Sequence, residues 1–191
     1  MNALILIGGF LVLSASIVNA QQIDSVRFEK RGERVYLAGQ KKPYSGKADN
    51  FFADGRKQIA GYYQNGKQEG VWTFWYASGH KQSETVYRNG SRSGMWTVWY
   101  ENGQKQFEGR YKKDRQEGMW TEWYENGQKK RQVTYCNGKE NGPFAAWHES
   151  GRKRAEGRFK NGRPEGLWVR WDENSEQQSD PSSLRSRQNR L

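Results

Sequence analysis

The chain has 191 residues, a formal net charge of +11, 34% hydrophobic and 14% aromatic residues, and a single cysteine. The aromatic content excludes a disordered polymer, and the lone Cys136 excludes both an intrachain disulfide framework and a four-cysteine metal site. The excess of Lys and Arg favours an acidic partner (acidic protein, anionic lipid, envelope polymer or nucleic acid), although it also serves solubility.

The first predicted element is an export signal. From Ala3 to Ala20 the chain is uncharged and mostly apolar, and it ends in Val18-Asn19-Ala20 before two polar glutamines. This pattern is typical of a secretory signal peptide over residues 1–20, which predicts a periplasmic or secreted protein. No Lys or Arg precedes the apolar stretch, so an uncleaved N-terminal membrane anchor and a misplaced start codon remain alternatives.

A capping hairpin and then a repeat array are predicted next. Residues 21–42 contain a hairpin-like stretch, Val26 to Tyr36, that is expected to cap the array. Residues 43–173 hold about five and a half copies of one phrase, each opened by a glycine 24 residues after the last. The opening glycines are Gly46, Gly70, Gly94, Gly118, Gly142 and Gly166. Such a period indicates units that bury apolar surface by stacking on their neighbours.

Each unit predicts two antiparallel strands. The phrase Trp-x-x-Trp-Tyr suits a pleated surface and predicts the first strand, and Asn-Gly or Ser-Gly predicts the turn that follows. The second strand ends at a Tyr or Phe before another glycine-bearing turn. The predicted fold class is therefore all-β, an elongated single-layer antiparallel β-meander of 24-residue hairpin repeats. Beyond it, residues 174–191 predict a flexible basic tail.

Strand alternation assigns the side chains to two faces. In the strand from Met95 to Tyr100, Trp96 points to one face and Trp99 to the other. In the returning strand, strict alternation places Lys105 on the same face as Phe107. Repetition of this split predicts rows of aromatic rings along the ribbon, which replace an aliphatic core.

Two sets of side chains are candidate binding residues. Twist of the sheet is expected to form a trough whose aromatic lining suits a peptide, sugar rings or a choline-like cation. The trough residues are Trp72, Trp75, Tyr76, Trp96, Trp99, Tyr100, Trp120, Trp123, Tyr124 and Trp147. A basic ladder suited to a polyanion consists of Lys57, Lys81, Lys105, Lys129 and Lys153. For both sets a purely structural role stays open: ring stacking within the sheet, and a solvated turn edge.

Catalytic patterns are not found in the sequence. His80 lies beside a turn glycine, and His148 replaces the Tyr of other units. Glutamates recur just before the opening glycine, at Glu69, Glu117 and Glu165, which indicates a local structural role rather than paired acid–base chemistry. We therefore expect a non-enzymatic protein without a cofactor or a metal site.

The phrase Trp-Tyr-Glu-Asn-Gly-Gln-Lys, followed by Glu-Gly-Arg-Tyr-Lys and by Gly-x-x-x-Gly, resembles the bacterial MORN-repeat variant over roughly residues 43–173. Proteins built this way are often catalogued as YwqK-type antitoxins of toxin–antitoxin systems. The resemblance implies a non-enzymatic protein that binds and neutralises a partner. Export departs from the usual cytosolic antitoxin, and it implies an envelope-directed toxin or an adaptor role instead.

These observations give two function hypotheses. The leading one is protein–protein binding through the aromatic trough, in an antitoxin-like role. The alternative is binding of an envelope glycan or an anionic polymer or lipid by the Trp rows and the Lys ladder. Export disfavours nucleic acid, and membrane contact is expected only through an uncleaved N-terminal segment.

Overall fold

The computed structural model describes residues 14–16, 25–173 and 177–179, and the regular structure in these ranges is all β. The strands are β1 (Ser14–Ser16), β2 (Ser25–Arg31), β3 (Arg34–Leu37), β4 (Gly46–Lys47), β5 (Asn50–Phe51), β6 (Lys57–Gln64), β7 (Lys67–Trp75), β8 (Lys81–Arg88), β9 (Ser91–Trp99), β10 (Lys105–Lys112), β11 (Arg115–Trp123), β12 (Lys129–Cys136), β13 (Lys139–Trp147), β14 (Lys153–Lys160), β15 (Arg163–Trp171) and β16 (Gln177–Ser179). Apart from β1 and β16, the predicted signal peptide and basic tail lie outside the described residues. Over the part of the chain that is described, no helix is long and apolar enough to cross a bilayer.

The strands form two antiparallel sheets. Strands β1–β3 make a three-stranded sheet, and the rest make a thirteen-stranded sheet in which β6 to β16 follow chain order. At about 4.8 Å between neighbouring strands, the large sheet is a ribbon roughly 50 Å long. The fold class is the one predicted from the sequence, an all-β antiparallel meander of hairpins in an open sheet.

The β2–β3 hairpin lies against the first turn of the array. The Val35 N–H donates to the Gly66 carbonyl at 2.8 Å, and the Tyr44 N–H donates to the Val35 carbonyl at 2.9 Å. The Phe28 ring packs edge-on against Tyr44, with 5.1 Å between the ring centroids. This hairpin falls within residues 21–42, the segment for which a capping role is predicted.

The turns between units use left-handed backbone conformations. Asn89 and Gly90 have φ of 50° and 86°, values that Asn and Gly adopt at low cost. In the unit that lacks this glycine, Lys113 and Asp114 adopt the same conformation, with φ of 51° and 62°. Asp114 Oδ1 accepts the backbone N–H and the Nε–H of Arg92, each at 3.0 Å. These bonds hold Asp114 in the place where the other units have glycine.

A register shift follows the turn inside each unit. Lys105 pairs with Trp99 but Phe107 pairs with Val98, so Gln106 is an extra residue in the strand. Equivalent shifts follow the pairs made by Trp75, Trp123 and Trp147. A bulge of this kind interrupts the alternation of side chains. Lys105 therefore shares a face with Trp99, and the prediction that it shares one with Phe107 is wrong.

The core lies on one face of the ribbon, which we call the indole face. From Gly70 onward it carries the ring two residues after each opening glycine: Trp72, Trp96, Trp120, Phe144 and Trp168. Trp72 is 1% exposed and Trp120 is 7% exposed. Each packs edge-on against a tyrosine of the preceding strand, Tyr63 at 4.9 Å and Tyr111 at 5.0 Å between centroids. Aromatic rings therefore dominate the core.

Successive units alternate between two conformations, so that the structure repeats every 48 residues. We call type 1 the units opened by Gly70, Gly118 and Gly166, whose φ values are 72°, 72° and 71°. We call type 2 the units opened by Gly46, Gly94 and Gly142, whose φ values are 158°, 153° and 136°.

The residue beneath the core ring alternates in the same way. In a type 1 unit the indole lies directly on a glycine: a Cβ added to Gly109 would stand 2.2 Å from Cδ2 of Trp120. Gly61 lies beneath Trp72 and Gly157 beneath Trp168 in the same arrangement. In type 2 units the place is filled by a side chain, with Thr85 paired to Trp96 and Val133 to Phe144.

The residue before the opening glycine alternates as well. It is Glu69, Glu117 or Glu165 in type 1 units, and Ser45, Ser93 or Asn141 in type 2 units. Glu69 Oε2 accepts the backbone N–H of Asn89 at 2.7 Å, and Glu117 Oε2 accepts that of Asn137 at 2.9 Å. The local structural role predicted for these glutamates is confirmed at these two positions.

Candidate functional site

The ten residues predicted to line one trough are divided between the two faces. Trp72, Trp96 and Trp120 belong to the indole face, where they pack in the core. The row five residues after each opening glycine lies on the opposite face, which we call the open face. Its predicted members are Trp75, Trp99, Trp123 and Trp147, and each is partly buried. The structure thus separates core tryptophans from tryptophans at an accessible face.

The three remaining trough residues are tyrosines that connect neighbouring units. The Tyr76 hydroxyl donates to the Trp99 carbonyl at 2.8 Å, and the Tyr100 hydroxyl donates to the Trp123 carbonyl at 2.8 Å. Tyr124 makes the same bond to Trp147 at 2.9 Å. These hydroxyls bridge consecutive turns and hold the edge of the ribbon in register.

Burial on the indole face also affects its tyrosines. Desolvation raises the pKa of Tyr63 to about 12 and raises the pKa of Tyr111 above its ordinary value. Both rings are therefore held in the neutral form in which they pack against Trp72 and Trp120. The side chains of the indole face therefore behave as a hydrophobic core and not as a ligand-binding surface.

On the open face, the predicted Lys ladder and the Trp row form one structure, which we call the Trp–Lys ladder. In four of the five ladder lysines, from Lys81 onward, the ammonium lies over the indole of the next unit, within the range of a cation–π contact. The pairs are Lys81–Trp99 at 5.7 Å, Lys105–Trp123 at 5.9 Å, Lys129–Trp147 at 5.7 Å and Lys153–Trp171 at 5.7 Å. The bulge after each turn makes this possible because it turns the lysine to the Trp side.

Acidic residues compensate most of the charge of this ladder. Lys81 pairs with Glu84 at 2.7 Å, and the same i,i+3 pair forms between Lys105 and Glu108. Lys153 pairs with Glu156 in the same way, and Lys57 lies 3.9 Å from Asp49. A ladder with neighbouring carboxylates attracts a polyanion less strongly than five free lysines would.

A second row on the open face was missed by the sequence analysis. Every unit from Gly70 onward places an aliphatic residue directly after its opening glycine, and we call these residues the apolar row: Val71, Met95, Met119, Pro143 and Leu167. All are exposed; Met119 and Leu167 are exposed to 63% and 69%. The aligned units show this row as a column of aliphatic residues, but the sequence analysis assigned the binding surface to the more abundant aromatic residues.

The apolar row borders a shallow groove in the second half of the array. The groove has a volume of about 630 Å³ and lies across β11 to β15. Its apolar lining includes Met119, Pro143, Ala145, Leu167 and Val169. It is an open depression along the sheet surface, suited to an elongated ligand rather than to a small enclosed one.

A row of basic residues runs beside the apolar row, at the edge of the open face that lies away from the ladder. We call it the basic row: Arg88, Lys112, Arg115, Lys139, Lys160 and Arg163, all of them exposed. Lys112 pairs directly with Arg115 across two strands, and Lys160 with Arg163. Lys160 also reaches Glu165 at 3.1 Å. The open face therefore has a second basic edge, and among the described residues Lys160 is its one member that forms an ion pair, unlike most lysines of the Trp–Lys ladder.

The histidines take structural positions. His80 Nδ1 lies 2.6 Å from the Glu101 carbonyl, and His148 Nε2 lies 3.2 Å from the Trp171 carbonyl. His148 thus occupies the place of the bridging tyrosines in other units. Among the residues that the structure describes, no group of three His, Cys, Asp or Glu side chains is placed to hold a metal ion.

Three of these units match the model of a known repeat family. The family model described as the MORN repeat variant matches residues 68–89, 92–113 and 116–137. Each matched segment covers the second strand of one inter-unit hairpin and the first strand of the next, so three consecutive repeats match the MORN repeat variant. A comparison with curated proteins found no match.

Proposed function

We propose that this protein is an exported, non-enzymatic binding protein that docks a partner protein on its open face. The observation that carries the proposal is the apolar row, because it exposes an aliphatic side chain in every unit from Gly70 onward. Contiguous exposed apolar surface marks interaction sites on soluble proteins. A MORN-variant array is a repeat module suited to binding, which agrees with this use.

The charges of the open face favour a protein over a simple polyanion. Polyanion binding by the Trp–Lys ladder would rest on Lys81, Lys105 and Lys153, each of which already has a glutamate partner. The apolar row adds nothing to the affinity for a polyanion, whereas it supplies buried area in a protein interface. A mixed apolar and basic surface therefore matches a folded or folding protein segment.

The biological role that we propose is neutralisation of an envelope-directed toxin, or an adaptor role at the cell surface. The resemblance to antitoxin-type repeat proteins supports the former, and residues 1–20 support export. Mass spectrometry of the mature protein tests export directly, because cleavage after Ala20 leaves Gln21 as the first residue. Recovery of an intact N-terminus from a cytosolic fraction would contradict this part of the proposal.

The binding proposal is tested by site-specific photo-crosslinking in the native host. A photoreactive phenylalanine replaces Met119 in the apolar row, Lys129 in the ladder, or Arg154 as an exposed control. A discrete protein adduct is expected at position 119, with little at position 154. If neither open-face position traps a protein, the proposal fails.

Two further measurements separate the partner classes. If a folded Trp75→Ala, Trp99→Ala, Trp123→Ala triple variant captures the same partner equally well, the ladder tryptophans do not contribute. Salt distinguishes the alternative ligand, since binding to an anionic polymer should fall by about tenfold or more between roughly 50 and 200 mM salt. Such a steep loss, with glycan or polymer as the captured material, would favour the envelope-polymer alternative.

A further inference from the structure

We infer that the open face binds an acidic amphipathic α-helix that lies across the strands, with apolar side chains on the apolar row and acidic side chains toward the basic row. This inference rests on the proposed function and identifies the chemistry of the partner segment. It follows from two independent features of the open face, the spacing of the apolar row and the charge of the basic row.

The spacing of the apolar row matches the heptad spacing of a helix. Neighbours such as Met95 and Met119 are separated by two strands, a distance of about 9.6 Å. Residues i and i+7 on one face of an α-helix are about 10.5 Å apart. Over the four intervals from Val71 to Leu167 the mismatch is roughly 4 Å, which flexible Met side chains can absorb.

Other peptide conformations fit this row less well. Residues on one side of an extended strand repeat at about 6.6 or 13 Å, and neither distance matches a two-strand step. A polyproline II segment repeats at about 9.3 Å, closer to the two-strand step than heptad spacing is, but such segments dock between accessible aromatic rings, and the Trp row of the open face is covered by lysine ammonium groups. The apolar row is aliphatic throughout, with Met95, Met119 and Leu167 as its long side chains. A helix that inserts apolar residues between them is the better match.

The charge of the basic row predicts acidic residues on the flank of the helix that faces it. Like charges placed directly opposite each other in a sheet destabilise it, yet Lys112 faces Arg115 and Lys160 faces Arg163. Within the described part of the chain, Arg88, Lys112, Lys139 and Arg163 form no ion pair. An acidic partner would relieve this repulsion, whereas a basic partner would increase it.

The inference is tested with synthetic helices and the mature chain, by fluorescence anisotropy. The probe is a peptide of about 28 residues with Leu at heptad spacing and Glu along one flank, long enough to span the apolar row. Three comparison peptides carry Lys in place of Glu, the same residues in scrambled order, or a proline-rich sequence. We expect the acidic heptad peptide to bind at least about tenfold more tightly than each of them.

Variants of the protein locate the binding surface. Met119→Glu, and separately Lys112→Glu with Arg115→Glu, should each weaken binding of the acidic peptide by about tenfold or more. The matched control is Arg154→Glu, a charge reversal at an exposed residue outside both rows, which should change affinity by less than about twofold. Leu167→Glu in the last unit serves as a second apolar-row variant if Met119→Glu lowers the melting temperature.

The outcomes separate this inference from the proposed function. Crosslinking at position 119 to a protein, together with an acidic peptide that binds no more tightly than its scrambled form, would overturn the helix and leave the docking surface intact. Equal loss of affinity in Arg154→Glu would overturn the assignment to the basic row. Tighter binding of the proline-rich peptide would replace the helix by a polyproline II ligand.

Discussion

Type 1 and type 2 units have nearly the same sequence motif, but the aromatic ring two residues after the opening glycine packs differently in the two types. In a type 1 unit the indole rests on bare backbone, as Trp120 does on Gly109. In a type 2 unit the ring faces a side chain, as Trp96 faces Thr85, and it tilts toward the next type 1 indole. Trp96 and Trp120 are 5.4 Å apart at 38°, and Phe144 and Trp168 are 5.1 Å apart at 37°.

The comparison shows that two consecutive units form the packing repeat. A ring that lies flat on glycine leaves room above it for the tilted ring of its neighbour. Both ring contacts of this kind, Trp96 with Trp120 and Phe144 with Trp168, join a type 2 unit to the type 1 unit that follows it. Alternation therefore satisfies close packing in a sheet that has only one layer of core.

Deletion of whole units tests whether alternation is required, and it should have the largest effect on the free energy of unfolding. Removal of residues 94–117 joins two type 1 units and places Thr85 beneath Trp120, whereas removal of 94–141 preserves the alternation. In a simple repeat protein the shorter deletion costs less stability. We expect the reverse order here, by on the order of 5 kcal/mol in the free energy of unfolding, because the Trp120 packing and the Glu117 bond are both lost.

Urea unfolding followed by Trp fluorescence measures this difference. Addition of Thr85→Gly to the shorter deletion should restore most of the loss, since it recreates the bare backbone beneath Trp120. If the shorter deletion is the more stable one without this change, alternation is not a packing requirement.

A single substitution should break one type 1 unit. Gly109→Val introduces a Cβ where the indole of Trp120 already lies, 2.2 Å from Cδ2. The ring must leave its site, so we expect a loss of about 3–5 kcal/mol, similar to truncation of a buried Trp. Chemical denaturation measures it. Val133, which occupies the equivalent place in a type 2 unit and is 4% exposed, shows that the side chain itself is compatible with the fold.

Introducing Val at the corresponding position of a type 2 unit should instead increase the free energy of unfolding. Thr85 is 5% exposed, and its buried Oγ1 has no hydrogen-bond partner among the described residues. Thr85→Val removes that unpaired hydroxyl and reproduces the Val133 arrangement, so a gain of about 1–2 kcal/mol is expected. A rise in melting temperature checks this result; a clear fall would mean that the hydroxyl is satisfied in solution.

The smallest effect concerns the residue before the opening glycine. Glu117→Ala removes the acceptor of the Asn137 N–H, bonded at 2.9 Å, and should cost about 1 kcal/mol. The type 2 counterpart Asn141→Ala should change stability by less than about 0.5 kcal/mol. Equal effects of the two variants in thermal unfolding would mean that the turns of both types are held in the same way.

Most of the fold was predictable because it follows from local chemistry repeated in each unit. The strand phrase, the turn glycines and the opposite faces of Trp96 and Trp99 all depend on neighbouring residues only. The bulge at Gln106 has no comparable signal, since one extra residue in a strand leaves the composition unchanged. It nevertheless decides the site, because it carries Lys105 to the Trp face.

Two other features were present in the sequence but hidden by alignment at 24 residues. Alternation of Glu117 with Ser93 before the opening glycine is visible only at a period of 48. The exposed column represented by Met119 was overlooked because its members differ in type and none is aromatic. Whether a side chain such as Trp120 is buried depends on the glycine beneath it in the preceding strand, which spacing within a single unit does not show.

The order of strands along the ribbon has a mechanical consequence. The two ends of the array lie at opposite ends of the large sheet, and its backbone hydrogen bonds run along the ribbon's long axis. Tension between the ends therefore opens these bonds one hairpin after another instead of shearing many at once. Under load the molecule should lengthen in small steps at low force, as a compliant tether does.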